Sequence, residues 1–64
     1  MIEFQKLNGE PILINPYQIE YIEVMPESRV VMMNGKFHIV SESRQQIKDA
    51  IEAYFTRIHT HKED

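Results

Sequence analysis

The sequence predicts an α+β fold in which a small antiparallel β-sheet of four to five strands is followed by one C-terminal amphipathic helix. Three observations lead to this prediction. Both glycines of the chain belong to Asn-Gly pairs, Asn8-Gly9 and Asn34-Gly35, and Asn-Gly between apolar runs is the strongest short-range hairpin signal. Residues 43–59 carry apolar side chains at helical spacing. A chain of 64 residues has room for a single domain with one core, which we assign to residues 1–64.

The first hairpin is predicted from the start of the chain. Residues 2–7 form one strand and residues 10–15 the next, and Asn-Gly between them supplies the two positive φ angles of a type I′ turn. Pro11 has no backbone N–H, so it is expected at the start of its strand or on an edge strand.

Three further strands are expected before the helix, so that the strands together span about residues 2–40. Residues 17–25 form the first of them. Its two faces carry Glu20, Ile22 and Val24 on one side and Ile19 and Tyr21 on the other. Residues 26–28, Pro-Glu-Ser, form a turn, because proline presets its own φ and short polar residues tolerate the angles that follow. Residues 29–33 and 36–40 then pair across the second Asn-Gly turn.

The helix is predicted over about residues 43–59. Ser43 is the expected N-cap, and Gln46 three residues later completes a capping box. The following apolar residues form one stripe that is wide enough to pack against a sheet. They are Ile47, Ala50, Ile51, Tyr54, Phe55 and Ile58. Residues 60–64 are expected to form a frayed tail.

Composition and charge argue against several classes of protein. The chain has no cysteine, which removes disulfides and thiolate zinc sites and fits a reducing cytoplasm. Ten acidic and seven basic residues are interleaved, for a net charge of −3, whereas nucleic-acid binders carry a basic stripe. The longest apolar run, Val30–Met33, is far too short to span a membrane, and the N-terminus lacks the pattern of a signal peptide. We therefore expect a soluble, unexported chain.

No catalytic or metal-binding arrangement stands out, and we expect neither enzymatic activity nor a cofactor. Nucleophilic catalysis needs an activated side chain beside an oriented base, and the chain has no G-x-S-x-G motif. Neither Asn-Gly pair precedes a helix as a phosphate-binding loop does. His38 lies within a strand, and His59 and His61 lie at the helix end, where cations interact favourably with the helix dipole. A metal site needs three or four converging ligands, which this spacing does not predict.

Two predicted strands are apolar without interruption, which indicates an interaction surface. The runs Ile12–Ile14 and Val30–Met33 are typical of strands buried on both faces, yet one helix covers only one face. The uncovered face is expected to contact a second copy or a partner, because large apolar patches seldom stay exposed. The alternative is a strongly curled sheet that closes partly on itself, as in small barrels. The residues predicted for partner binding are Arg29, Val31, Met33, Lys36 and His38.

Several short motifs occur together in an order and spacing that is more specific than any one of them. They are Leu7-Asn8-Gly9, Ile14-Asn15, Ile19, Ile22, Pro26-Glu27-Ser28, Val30, Met32, Asn34-Gly35-Lys36, Val40, Glu42-Ser43 and Ile47. Over roughly residues 1–58, this pattern resembles the flagellar protein FlbD family, which includes the swarming-motility protein SwrD. The chain departs from the family at Gln5-Lys6, where members tend to have Thr-Arg, and in its C-terminal residues, which are less basic.

The resemblance implies a non-enzymatic bacterial protein linked to flagella. It implies a cytoplasmic location, with the inner face of the membrane near the flagellar base as the candidate site, and a role in motor power through the stator units. An adaptor that presents a sheet face or edge to a protein fits such a role. We therefore expect a homo-oligomeric adaptor of flagellar motor or stator components, without bound nucleic acid or membrane insertion. The alternative is a small oligomeric β module that binds nucleic acid, or another protein outside the flagellar system.

Overall fold

The computed structural model describes residues 1–60, and the side chains of residues 1–58. The predicted α+β class is confirmed, with five strands followed by one helix. These elements are β1 (Ile2–Gln5), β2 (Pro11–Ile14), β3 (Ile19–Glu23), β4 (Ser28–Met32), β5 (Phe37–Val40) and α1 (Arg44–Thr60). The strands form two antiparallel sheets, β1-β2 and β3-β4-β5, where the sequence predicted one. Thr60, the first residue of the predicted frayed tail, is the last residue of α1, and residues 61–64 lie outside the described residues.

Both Asn-Gly pairs lie in hairpins, as predicted, but the predicted type I′ turn is wrong. Among the described residues only the two glycines have a positive φ, 90° at Gly9 and 88° at Gly35. In the first hairpin the N–H of Gly9 donates to the C=O of Lys6 at 2.9 Å, and the N–H of Lys6 donates to the C=O of Glu10 at 2.8 Å. This pattern is a three-residue loop that ends in a glycine of left-handed conformation.

The second hairpin repeats this geometry between Met32 and Lys36, with hydrogen bonds of 2.9 and 2.7 Å. The asparagine side chain explains the turn type in both loops. Oδ1 of Asn8 accepts a hydrogen bond from the N–H of Glu10 at 3.0 Å, and Oδ1 of Asn34 accepts one from Lys36 at 2.9 Å. Each asparagine thus bonds to the loop backbone two residues on, and only the glycine takes the positive φ.

Residues 16–18 form a short 3-10 helix, Pro16–Gln18, where the sequence predicted the start of a strand. Asn15 caps it, because its Oδ1 accepts a hydrogen bond from the N–H of Tyr17 at 3.0 Å. The ring of Tyr17 packs edge-to-face against Tyr54 and Phe55 of α1, with centroids 6.3 and 5.3 Å apart. The short helix therefore ties the connection between the two sheets to the C-terminal helix.

β3 contains an irregularity that turns two isoleucines to the same face. The register with β4 shifts between Ile19 and Tyr21, which leaves Glu20 as an extra, unpaired residue. Because such a bulge reverses the alternation of side chains, Ile19 and Ile22 both pack against the core. The prediction that they lie on opposite faces is wrong for this reason.

One core joins both sheets and the helix. Its buried members are Ile2, Phe4 and Ile14 from the first sheet, Val30 and Val40 from the second, and Ile47 from α1. Leu13 is exposed, so β2 is buried on one face only, whereas Val30 and Val31 are both buried in β4. Both sheets cover the same core with their inner faces.

A junction of hydrogen bonds connects β1 to the segment before the helix. The N–H of Ser41 donates to the C=O of Gln5 at 2.8 Å. The N–H of Gln5 donates in turn to the two carboxylate oxygens of Glu42, at 3.0 and 3.1 Å. The hydroxyl of Ser28 donates to the C=O of Glu42 at 2.6 Å. Residues from both sheets therefore meet at Glu42.

The helix begins with the predicted capping box. The N–H of Gln46 donates to Oγ of Ser43 at 3.2 Å, and the N–H of Ser43 donates to Oε1 of Gln46 at 2.9 Å. The predicted apolar stripe is buried at Ile47, half-buried at Ala50, Ile51, Tyr54 and Phe55, and exposed at Ile58. The stripe therefore packs against the core from Ile47 to Tyr54.

Replacing Gly35 by alanine tests the left-handed loop position. We expect the free energy of unfolding to fall by about 1 kcal/mol, because a Cβ disfavours this backbone conformation. Beyond Gly35 and its two chain neighbours, no heavy atom lies within 4 Å of the position that a Cβ would take, so the cost comes from backbone strain. Gly35→Asn should lower the free energy of unfolding by less, since asparagine tolerates a positive φ. Urea unfolding measures both, and an alanine variant as stable as the parent would contradict the loop geometry.

Replacing Glu42 by alanine tests the junction. The change removes the charged acceptor of a partly buried N–H. We therefore expect the free energy of unfolding to fall by roughly 1.5–3 kcal/mol. Glu10→Ala is the matched control, because that side chain is exposed and only its backbone is hydrogen-bonded. Urea unfolding of the two variants should differ clearly. Equal stability would show that the carboxylate contributes nothing.

Candidate partner-binding surface

The strand register decides which residues share a face of the three-stranded sheet. Val30 is fully buried and pairs with Ile22 and His38, which places these residues on the core side. Val31 pairs with Tyr21 and Phe37 and points the other way. We call this second side the outer face. It consists of Tyr21, Glu23, Arg29, Val31, Phe37 and Ile39.

The structure brings together only some of the residues predicted for partner binding. Arg29 and Val31 lie on the outer face, and Met33 lies just beyond β4 in the second loop, 58% exposed. Lys36 pairs with Met32 and His38 with Val30, so both belong to the core-side parity.

The turn type explains this difference. A two-residue turn at Asn34-Gly35 would place His38 opposite Val31, whereas the observed three-residue loop places Phe37 there. A shift of one residue moves every side chain of a strand to the other face. Lys36 and His38 therefore lie on the side of β5 opposite to Arg29 and Val31. Correct recognition of the loop would have pointed to Phe37 and Ile39.

The centre of the outer face is apolar and aromatic. Tyr21 and Phe37 are each 49% exposed, and Val31 between them is only 8% exposed. Half-exposed aromatic side chains each offer on the order of 100 Å² to a partner. The face therefore presents apolar area on both sides of a nearly covered valine.

Arg29 borders this apolar centre in a fixed position. One of its guanidinium nitrogens, Nη2, donates to Oε2 of Glu27 at 2.9 Å, and its Cζ lies 4.4 Å from the centroid of the Phe37 ring. The side chains of Arg29 and Glu27 are 29% and 33% exposed, so solvent still screens the ion pair, and a cation–π contact near the surface contributes about 0.5–1 kcal/mol. Together they orient the guanidinium across the aromatic ring.

The outer face continues onto the loop of the first hairpin. An antiparallel bridge between Lys6 and Val40 aligns this loop with β5. The loop and β5 form a shallow depression of about 390 Å³. Its lining residues are Lys6, Leu7, Asn8, Phe37 and Ile39. Since Leu7 is largely exposed, the apolar surface extends past the edge of the sheet.

The composition of this surface suits contact with a protein. Aromatic residues, methionine and arginine are enriched in the cores of protein interfaces, and lysine and acidic residues are depleted there. Across residues 1–58, no group of three or more His, Cys, Asp or Glu side chains is placed to hold a metal ion. His59 and His61 lie outside the residues whose side chains are described. No helix in the described part of the chain is long and apolar enough to cross a membrane.

Substitutions at neighbouring methionines test the assignment of the two faces. Met32 is half-buried against the core, whereas Met33 is exposed. We expect Met32→Lys to lower the free energy of unfolding by about 2 kcal/mol or more, because it brings a charge towards the core. Met33→Lys should change it by less than about 0.5 kcal/mol. Thermal unfolding of both variants measures this difference, and the reverse order would overturn the assignment of faces.

Similarity to known proteins extends over nearly the whole chain. A family model described as FlbD, flagellar and swarming motility proteins, matches residues 1–59. The matched region includes both hairpins, the junction at Glu42 and almost all of α1. No curated protein and no solved structure matches the chain.

Proposed function

Because the chain belongs to the FlbD family of flagellar and swarming motility proteins, we propose that it is a non-enzymatic adaptor that supports the flagellar motor or its stator units. Family membership gives the link to motility. The finer role is supported by the outer face, whose aromatic and arginine side chains are typical of protein interfaces. An adaptor of the motor would work in the cytoplasm, at the inner face of the membrane near the flagellar base.

The single observation that carries the adaptor role is the open apolar centre of the outer face. Two half-exposed aromatic rings, Tyr21 and Phe37, flank Val31 on this face. Large contiguous apolar patches on small domains mark interaction sites. The charges at its border favour a protein over nucleic acid, since Arg29 is already paired with Glu27 and the face carries no basic stripe.

Adaptability at the border of this face supports the same role. Met33 is exposed in the loop beside the sheet, and methionine adjusts easily to the shape of a partner. We also propose self-association, because β4 is apolar on both faces and a domain of this size has a small core.

Motility of a deletion strain tests the motor role. We expect a strain without the gene to swim weakly in viscous medium although its filaments assemble normally, because an adaptor supports torque and not filament assembly. Reintroducing the gene should restore swimming. Missing filaments would assign the protein to assembly, and normal swimming would refute a role in motility under these conditions.

Complementation with outer-face variants tests the surface separately. We expect Tyr21→Glu and Phe37→Glu to fold yet fail to restore swimming, because each places a charge in the apolar centre. Leu13→Glu is the control, since Leu13 is also exposed, at 59%, but lies on β2 in the other sheet. Restoration by all three variants would show that the partner binds elsewhere.

A further inference from the structure

The free edge of β2 is a second surface that can contact another chain, apart from the outer face. β2 and β3 are outermost strands of their sheets, and over residues 1–60 no strand pairs with the free side of either. Such edges invite pairing with another chain, and proteins often protect them with bulges or charged residues. β3 carries a bulge at Glu20, whereas the pairing of β1 with β2 is regular and residues 11–14 carry no charge. β2 is therefore the less protected edge.

The hydrogen bonds of β1 show which backbone groups of β2 face this edge. Lys6 uses both its N–H and its C=O within the hairpin, whereas both groups of Gln5 bond to the segment before the helix. Backbone groups alternate in this way along an antiparallel ladder. The partner of Gln5 in β2 is Pro11, and that of Glu3 is Leu13. Pro11 and Leu13 therefore turn their backbone groups towards the free edge, where proline offers only its C=O.

Asn15 continues this alternation one step beyond β2. Its backbone is extended, with φ −79° and ψ 111°, so its N–H also faces the free edge. The C=O of Asn15 accepts a hydrogen bond from the N–H of Gln18 at 3.0 Å. The edge therefore offers an acceptor without a donor at Pro11, both groups at Leu13, and a donor at Asn15 whose own C=O is already used.

This pattern is complementary to itself. When two such edges pair antiparallel with Leu13 opposite Leu13, Pro11 of each copy lies opposite Asn15 of the other. The two leucines then exchange both backbone hydrogen bonds, and the N–H of Asn15 donates to the C=O of Pro11. The N–H that Pro11 lacks would have met a C=O that Gln18 already occupies. An ordinary strand of another protein would instead turn an unpaired C=O towards the proline ring.

We propose that the chain forms a twofold symmetric homodimer through the free edges of its β2 strands. A twofold interface uses the same patch on both subunits, and the edge at residues 11–15 meets this requirement. On one face of the joined sheet, Leu13, 59% exposed in the subunit, contacts Leu13 of the second copy. On the other face, the half-buried Ile12 lies beside Ile14 of the second copy, so the two cores continue into one another.

The dimer also joins two sheets of two strands into one of four. A two-stranded sheet is marginal by itself, and the chain has no disulfide to support it. The inference gives the self-association proposed above a defined interface and rests on it, whereas the motility role can fail without affecting it. The free edge of β2 and the outer face belong to different sheets, so substitutions can separate them.

Sedimentation velocity over about 1 to 200 μM tests the dimer, because a small interface is expected to dissociate at such concentrations. We expect the unmodified chain to dimerise. Leu13→Glu should raise the dissociation constant about tenfold or more, since like charges directly opposite each other repel. Its side chain is exposed, so thermal unfolding of the monomer should be nearly unchanged. Tyr21→Glu, an equivalent change on the outer face, is the matched control and should leave the dimer intact.

Mixing two charge variants tests the position of the twofold axis. Leu13→Glu and Leu13→Lys should each be monomeric alone and should associate when combined, because opposite charges then face each other across the axis. A monomeric unmodified chain at every concentration would overturn the proposal. So would a mixture that associates no better than its components, or a dimer that Tyr21→Glu dissociates and Leu13→Glu does not.

Amide hydrogen exchange checks the backbone pairing directly. In the unmodified chain at high concentration, the N–H groups of Leu13 and Asn15 should be protected, and in Leu13→Glu they should exchange rapidly. The N–H of Ile12, which bonds within the hairpin, should be protected in both. Rapid exchange of the Leu13 N–H in the unmodified dimer would refute pairing through this edge. Because Leu13→Glu leaves the outer face unchanged, loss of the dimer and loss of the motor contact are distinguishable.

Discussion

The fold depends on the hydrogen bonds that the backbone C=O and N–H of Gln5 form. The C=O accepts a hydrogen bond from the N–H of Ser41, and the N–H donates to the Glu42 carboxylate. Sheets of two and three strands are each close to the lower limit of independent stability, so neither is expected to persist without the other. The junction holds them over one core. Because Glu42 directly precedes the Ser43 cap, the same turn that joins the sheets also starts the helix.

The features that the sequence predicted correctly are those encoded within a few residues. The capping box involves Ser43 and Gln46, three residues apart, and each hairpin is encoded by a single Asn-Gly pair. The division into two sheets was not predicted, because it depends on contacts between residues that are far apart in the sequence. Gln5 and Glu42 are 37 residues apart in the chain. The bulge at Glu20 likewise became visible only when the register with β4 was known.

The candidate surface was only partly predicted. The turn type at Asn34-Gly35 sets the orientation of every side chain in β5. Arg29 and Val31 were grouped correctly, since residues two apart on one strand share a face. His38 was grouped with them because Asn-Gly was assigned a two-residue turn. The hydrogen bond from the Lys36 N–H to Oδ1 of Asn34 accompanies the longer loop, and this shifts β5 by one residue. The turn type therefore decides whether the imidazole of His38 or the phenyl ring of Phe37 lies on the outer face.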